Sequence, residues 1–238
     1  MQQRISTMIG NVIRATDGDL GKVNEFYFDD ATWSIRYMVA ETGIWLLGRK
    51  VLIPLVALMK PDRESNVFAV NLSRAKVRKS PDIDTELPVY RHHEEDLHKY
   101  YQWPLYWQEA GYGGTLGITP YPLFENPIPQ KSDASKEKDD PHLRSTRHVK
   151  GYHIHATDGE IGHVEDFIVD DETWAIQHLV VDTGNWLPGK KVFIAPAWIK
   201  KVNWTDSSVY LDRSREAVKN SPEFDSSDPI YRNSLSHQ

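Results

Sequence analysis

Any chemistry this chain performs must come from histidines, carboxylates and hydroxyls. Its 238 residues include no cysteine, so it has no thiolate nucleophile, thiolate metal site or disulfide. Two groups of residues have suitable spacing. The first is the run His92, His93, Glu94, Glu95, Asp96 and His98. On a helix, Glu94 and His98 share one face and could give two ligands to zinc or another divalent ion. The competing reading is a solvated helix face. The spacing differs from the His-Glu-x-x-His of zinc hydrolases. The second group is His153 and His155, which alternate along a predicted strand and so project from one side. That pair suits a metal-binding or pH-responsive face, since histidine titrates near neutrality. Paired carboxylates stand at Asp29-Asp30 and again at Asp170-Asp171. Short acidic side chains bond nearby backbone groups, so a turn is expected there ahead of an acid–base pair or a metal clip.

Signatures of bond-making are missing. The chain has no Gly-x-Ser-x-Gly elbow, no Gly-x-x-x-x-Gly-Lys-(Ser/Thr) loop and no Gly-x-Gly-x-x-Gly turn. Gly111-Tyr112-Gly113-Gly114 is glycine-rich but follows no strand-like run. The expectation is a protein that is not an enzyme and carries no cofactor. Aromatic residues are the stronger lead. Tyr100, Tyr101, Trp103, Tyr106 and Trp107 lie within one short stretch, and each could bury on the order of 150–250 Å². They suit packing between domains, self-association or a foreign protein partner. Trp45 and Trp186, each just after a Thr-Gly turn, are further partner-binding candidates.

These residues are carried on a module written twice. The stretch from Gly10 to Arg91 reappears without a gap from Gly151 to Arg232, with roughly two positions in five identical. Each copy opens with a short strand and an Asp-Gly hairpin signal, Asp17-Gly18 or Asp158-Gly159. A strand follows at Val23 to Phe28 or Val164 to Val169, then the double-Asp turn. The next runs from Trp33 to Ala40 or Trp174 to Val181, and shorter strands start at Val51 and Val192, with more at Val67 and Val209. Ser73 and Ser214 can cap one short helix each, stopped before Pro81 and Pro222. Many short strands with turn glycines predict a small all-β barrel or sandwich. The copies differ at polar positions: Val12, Arg14, Lys22 and Tyr37 become His153, His155, His163 and His178. The expected domains are 1–95 and 148–238. Between them lies a linker, 96–147, that is first aromatic, then rich in Gly and Pro, then a polar tether from Lys131 to Asp140.

A net charge of −6 argues against a dedicated nucleic-acid binder. No window approaches a signal peptide or a transmembrane helix, so a cytoplasmic protein without membrane insertion is expected.

The motifs resemble the PRC-barrel family. The resemblance rests on the opening Gly-x-x-Ile-x-Ala-Thr-Asp-Gly-x-(Leu/Ile)-Gly-x-Val, the double-Asp turn, the Trp-x-Ile strand, the Thr-Gly-x-Trp turn and the Lys-Val-x-Ile strand, in both copies. The linker motif Tyr-Tyr-x-Trp-Pro-x-Tyr-Trp resembles free-standing members with two copies. The family includes the cytoplasmic domain of the photosynthetic reaction-centre H subunit and the C-terminal domain of the ribosome maturation factor RimM. The resemblance implies two small β-barrels in tandem, each with one short helix, used as docking surfaces and without a shared catalytic set. The expected function is a non-enzymatic protein-binding or scaffold protein that forms homo-oligomers. The alternatives are an RNA- or ribosome-associated factor touching phosphates through Lys76, Arg78, Lys79, Lys190, Lys191, Lys200 and Lys201, a histidine-based metal or pH sensor, and a peripheral component of a photosynthetic or electron-transport complex.

Overall fold

The computed structural model describes residues 1–59, 66–81, 89–107, 142–184, 186 and 189–224. The Gly/Pro-rich stretch and the Lys131–Asp140 tether lie outside the described residues. The first half contains β1 (Gln2–Arg4), α1 (Ile5–Met8), β2 (Val12–Ala15), β3 (Gly18–Asp29), β4 (Ser34–Glu41), β5 (Lys50–Pro54), β6 (Val67–Ala69), α2 (Arg74–Arg78) and α3 (Arg91–Tyr101). The second contains β7 (Leu143–Ser145), α4 (Thr146–Val149), β8 (His153–Ala156), β9 (Gly159–Asp170), β10 (Ile176–Asp182), β11 (Lys191–Ile194), β12 (Ile199–Asn203), β13 (Ser208–Leu211) and α5 (Arg215–Lys219). The fold is mostly β, with short helices and two sheets. One sheet has the order β11-β10-β9-β8-β13-β12, with β1 added to β9; the other has the order β5-β4-β3-β2-β6, with β7 added to β3.

The chain divides into two compact units that are not contiguous in sequence. Unit 1 comprises Met1–Ile9, Trp33–Ile35 and Ser145–Gln238; unit 2 comprises Gly10–Thr32 and Arg36–Arg144. The opening segment of copy one is therefore built into the unit that holds copy two. Residues 142–144, which open copy two, are built into the unit that holds copy one. This extent differs from the contiguous domains 1–95 and 148–238 that the repeat suggests.

Local chemistry explains the elements. The hairpin register pairs Ala15 with Gly18, so Thr16 and Asp17 form the turn and Gly18 starts the next strand at φ +132°. Asp17 Oδ1 accepts the Arg74 N–H at 2.7 Å, and Asp158 Oδ1 accepts the Arg215 N–H at 2.8 Å. The acidic half of each Asp-Gly pair thus ties the hairpin to the start of a helix. Ser73 and Ser214 cap those helices by accepting the Lys76 and Ala217 N–H groups at 3.2 and 3.3 Å.

The two carboxylates of each acidic pair divide their work. Asp29 Oδ1 accepts the Ala31 N–H at 3.0 Å and the Thr32 N–H at 2.9 Å, closing the turn. Asp170 Oδ1 does the same for Glu172 at 3.1 Å and Thr173 at 2.8 Å. Burial alone pushes Asp170 up, yet the Thr173 backbone and hydroxyl bonds hold its carboxyl below the usual range. The second carboxylate of each pair faces the added strand. Asp30 takes Arg144 Nε at 2.8 Å, and Asp171 takes Gln3 Nε2 at 3.1 Å. The residue after each turn is strained: Trp33 and Trp174 are left-handed, at φ +52° and +59°. Within unit 1 they form a reciprocal bridge, with the Ile35 N–H donating to Trp174 O at 2.9 Å and the Ile176 N–H to Trp33 O at 2.8 Å.

One close approach in each sheet admits only glycine. A Cβ on Gly21 would lie 2.0 Å from the Glu41 carbonyl oxygen, and one on Gly162 would lie 1.9 Å from that of Asp182. Both glycines also have positive φ, +152° and +147°. Gly162→Ala must push β9 and β10 apart along their ladder. We expect it to lower the melting temperature by roughly 10 °C or more, measured by circular dichroism. An exposed glycine with open space around it, Gly184→Ala, tests the part due to φ alone and is expected to shift it less.

Candidate functional site

The densest polar constellation lies inside unit 2, where α3 packs over β4. The helix begins one residue earlier than the charge pattern suggests and ends at Gln102, a left-handed residue (φ +62°). There the Trp103 N–H returns to the His98 carbonyl at 3.0 Å. Glu94 and His98 do share a face, as their spacing requires, but that face is not solvated: Glu94 is 0% and His98 1% exposed.

Both side chains converge on the Tyr37 hydroxyl from β4. Tyr37 Oη lies 2.9 Å from Glu94 Oε2 and 2.8 Å from His98 Nε2. The Tyr106 hydroxyl donates to the same Glu94 oxygen at 3.0 Å. His142 Nε2 stands 2.8 Å from Glu94 Oε1, a close charge contact off the hydrogen-bonding direction. His98 Nδ1 lies 2.8 Å from the Pro104 carbonyl, which can only accept, so that nitrogen carries a proton. Tyr37 has a single hydrogen and two acceptors to serve. Glu94, Tyr37 and His98 thus form one buried hydrogen-bonded relay. Burial pushes His98 below its usual range, opposed by the Pro104 carbonyl and by Glu94. Burial also pushes the Tyr106 hydroxyl well up, reinforced by Glu94 and Asp29.

This hub fixes the aromatic stretch. Tyr101 is buried and stacks on Trp103 with centroids 4.3 Å apart, and Tyr100 stands edge-on to it at 4.8 Å. The Tyr100 hydroxyl donates to the Lys76 carbonyl at 2.8 Å. Arg36 lies over the Tyr106 ring at 4.2 Å, and Arg91 over Trp107 at 4.5 Å. Burial raises the Tyr101 hydroxyl to about 12. Tyr101 and Tyr106 are thus spent on unit 2 itself. Trp103, Trp107 and Tyr100 stay half-buried and present their outer edges.

The remaining candidates are dispersed. His153 is exposed and pairs with Glu160 at 2.8 Å, while His155 stacks on Tyr210 with centroids 5.0 Å apart. Among the described residues, no group of three or more His, Asp or Glu is arranged to hold a metal ion. His178, where copy one has Tyr37, packs against Phe193 at 5.2 Å, and burial lowers its pKa. Lys190 and Lys191 are paired with Glu223 and Glu165 at 3.0 and 2.6 Å. Trp186 is half-buried, with the Arg215 guanidinium 5.9 Å from its ring. The Trp45 side chain lies outside what the structure describes.

Residues beside Trp45 were not anticipated. Ile44 and Leu47, on the turn between β4 and β5, are each 96% exposed. The turn is closed by its own backbone: the Gly48 N–H donates to Gly43 O at 2.7 Å, and Thr42 Oγ1 donates to Arg49 O at 2.6 Å. The sequence signal was available, as Ile44-Trp45-Leu46-Leu47 is a fully apolar run between turn glycines.

Two outcomes follow from the hub. Tyr37→Phe removes the relay and leaves two buried groups each short of a partner. We expect a loss of roughly 2 kcal/mol in urea unfolding and faster hydrogen exchange across α3. The second concerns pH. His98, His93 and His178 are all held below the usual histidine value by burial. The unfolded chain therefore takes up protons near pH 6.5 that the folded chain refuses, so stability is full above that pH and falls as pH drops through it. The melting temperature should decrease between about pH 7.5 and about pH 5.5, and His98→Gln should shrink that decrease.

No curated protein matches the chain. Residues 2–75 match the family model of the PRC-barrel domain, a span running from β1 into the first turn of α2. The opening motif, the double-Asp turn and the Thr-Gly-x-Trp turn of copy one all fall inside it, and on that basis the chain carries a PRC-barrel domain at residues 2–75.

Proposed function

We propose that this chain is a non-enzymatic protein-binding scaffold made of two small barrels in tandem, and that it self-associates. The observation that carries the reading is the apolar turn of unit 2. Two aliphatic side chains stand almost fully in water on a loop whose backbone bonds are already made, at Ile44 and Leu47. Burying one such side chain is worth on the order of 1.5–3 kcal/mol, and a rigid loop loses little further freedom on docking. The half-buried Trp103 and Trp107 supply a second apolar edge on the same unit, of the residue type that dominates interaction hot spots. The polar groups with unusual environments support the same reading, because Glu94, His98 and Tyr37 bond one another instead of facing a ligand. Pairing of Lys190 and Lys191 with carboxylates favours this reading over an RNA-binding one.

The test is the double substitution Ile44→Asp with Leu47→Asp, followed by light scattering after size exclusion. The wild type should associate with rising concentration, and the variant should do so at least about tenfold more weakly with an unchanged circular dichroism spectrum. A wild-type profile that stays monomeric at the highest soluble concentration would remove self-association from the proposal.

A further inference from the structure

The slot that receives β1 is a strand-binding site whose occupant is read by side chains. The segment runs antiparallel along the end of β9, with Gln2 opposite Asp170, Gln3 opposite Val169 and Arg4 opposite Ile168. Arg4 Nε meets Asp166 Oδ2 at 3.0 Å, and Asp166 is only 3% exposed. The same carboxylate accepts the Ser6 N–H at 3.1 Å and the Ser6 hydroxyl. The Arg4 guanidinium lies 5.0 Å over the Phe224 ring, and Ile5 and Met8 are buried beside it. A buried carboxylate with an arginine across it and a ring beneath it is selective, since leaving that charge unpaired is costly. The slot therefore specifies a short strand ending in arginine, with a hydroxyl two residues later in the helical turn that follows.

The second slot has the same plan with different specificity. There β7 pairs with β3. The Asp30 N–H donates to His142 O at 3.0 Å, just as the Asp171 N–H donates to Met1 O at 2.9 Å. The repeat places Ser145 where the first segment has Arg4, and Glu25 where the first slot has Asp166. The two segments are not interchangeable by charge.

In neither slot does the occupant come from the copy that builds it. Segment 1–9 is joined to copy one through Gly10, a left-handed glycine (φ +86°) with open space around it. We propose that the Asp166 slot also accepts residues 1–9 of a second copy of this chain, giving dimers joined by exchanged β1 strands. The contacts in the exchanged form are those already made within one chain. The balance between the two forms is then set by effective concentration rather than by a new interface. The proposal does not rest on the apolar turn, because Ile44 and Leu47 take no part in the slot.

Absence of native cysteine makes the test direct. A Gln3→Cys chain and a Val169→Cys chain are unfolded together in urea, refolded as a mixture and oxidised gently. These positions face each other across the strand pair. A disulfide-linked heterodimer is expected, growing with protein concentration during refolding. Adding Arg4→Ala to the Gln3→Cys chain should lower its yield by about tenfold. The single-chain Gln3→Cys/Val169→Cys variant serves as the folding control and should close within one monomer at low concentration. If that variant closes while the mixture yields no heterodimer, or yields one that Arg4→Ala does not reduce, the exchange is overturned. Failure of the single-chain variant to close would remove the strand register and the proposal with it.

Discussion

A carboxylate at the end of each long strand governs how this chain is wired. Asp30 and Asp171 follow β3 and β9, beside partners already spent on their own turns. Burial pushes Asp30 up, and the Arg144 guanidinium pulls it back by hydrogen bonding and by charge. A carboxylate held away from water in that position needs a donor. The donor arrives from the segment that opens the other copy, as Gln3 does for Asp171. Duplication makes this reciprocal: an offset that leaves one slot short of a strand leaves the other short as well. Each unit is then completed by sequence belonging to the other copy.

The copies share that wiring and differ in their interiors. Tyr37 in unit 2 and His178 in unit 1 occupy the same place in the repeat. Tyr37 reaches Glu94 and His98, and through them organises the aromatic stretch after α3. His178 instead lies against Phe193, which stands edge-on to Phe224 at 5.4 Å. A hydroxyl in one core thus recruits a polar helix, while the other core closes with rings. At this repeat position Tyr37 joins a polar helix in unit 2, and His178 joins an apolar cluster in unit 1.

Local structure was legible wherever a short-range rule applied. The double-Asp turns, the serine caps and the strand following each Asp-Gly pair all arise from contacts within a few residues. The β character followed from many short strands with turn glycines, and the PRC-barrel resemblance, drawn from motifs in both copies, was matched by the family model over residues 2–75. Long-range pairing was not legible. Residues 2–4 and 143–145 are short and polar, and nothing in their pattern says which long strand they will join. Glu94 misleads for a related reason: a run of His, Glu and Asp scans as a solvated face, and its burial depends on Tyr37, Tyr106 and His142, all outside that run. Ile44 and Leu47 lie beside the candidate Trp45 in an apolar run between glycines, and the turn places them in water.

The proposed binding role rests on where free energy has and has not already been used. Glu94 accepts two tyrosine hydroxyls and touches a histidine. A substrate drawing on that carboxylate would first have to break bonds shielded from water, each costly to lose. The apolar turn is the reverse case. The Leu47, Gly48 and Arg49 N–H groups are paired within the loop, and Leu47 is set in a left-handed conformation (φ +54°). Ile44 and Leu47 stand 96% exposed on that loop. Water is the poorest neighbour such side chains can have, and a complementary apolar surface gains their burial while the loop stays as it is. Tyr37, Glu94 and His98 bonded to one another inside, and Ile44 and Leu47 exposed outside, support the proposed recognition role.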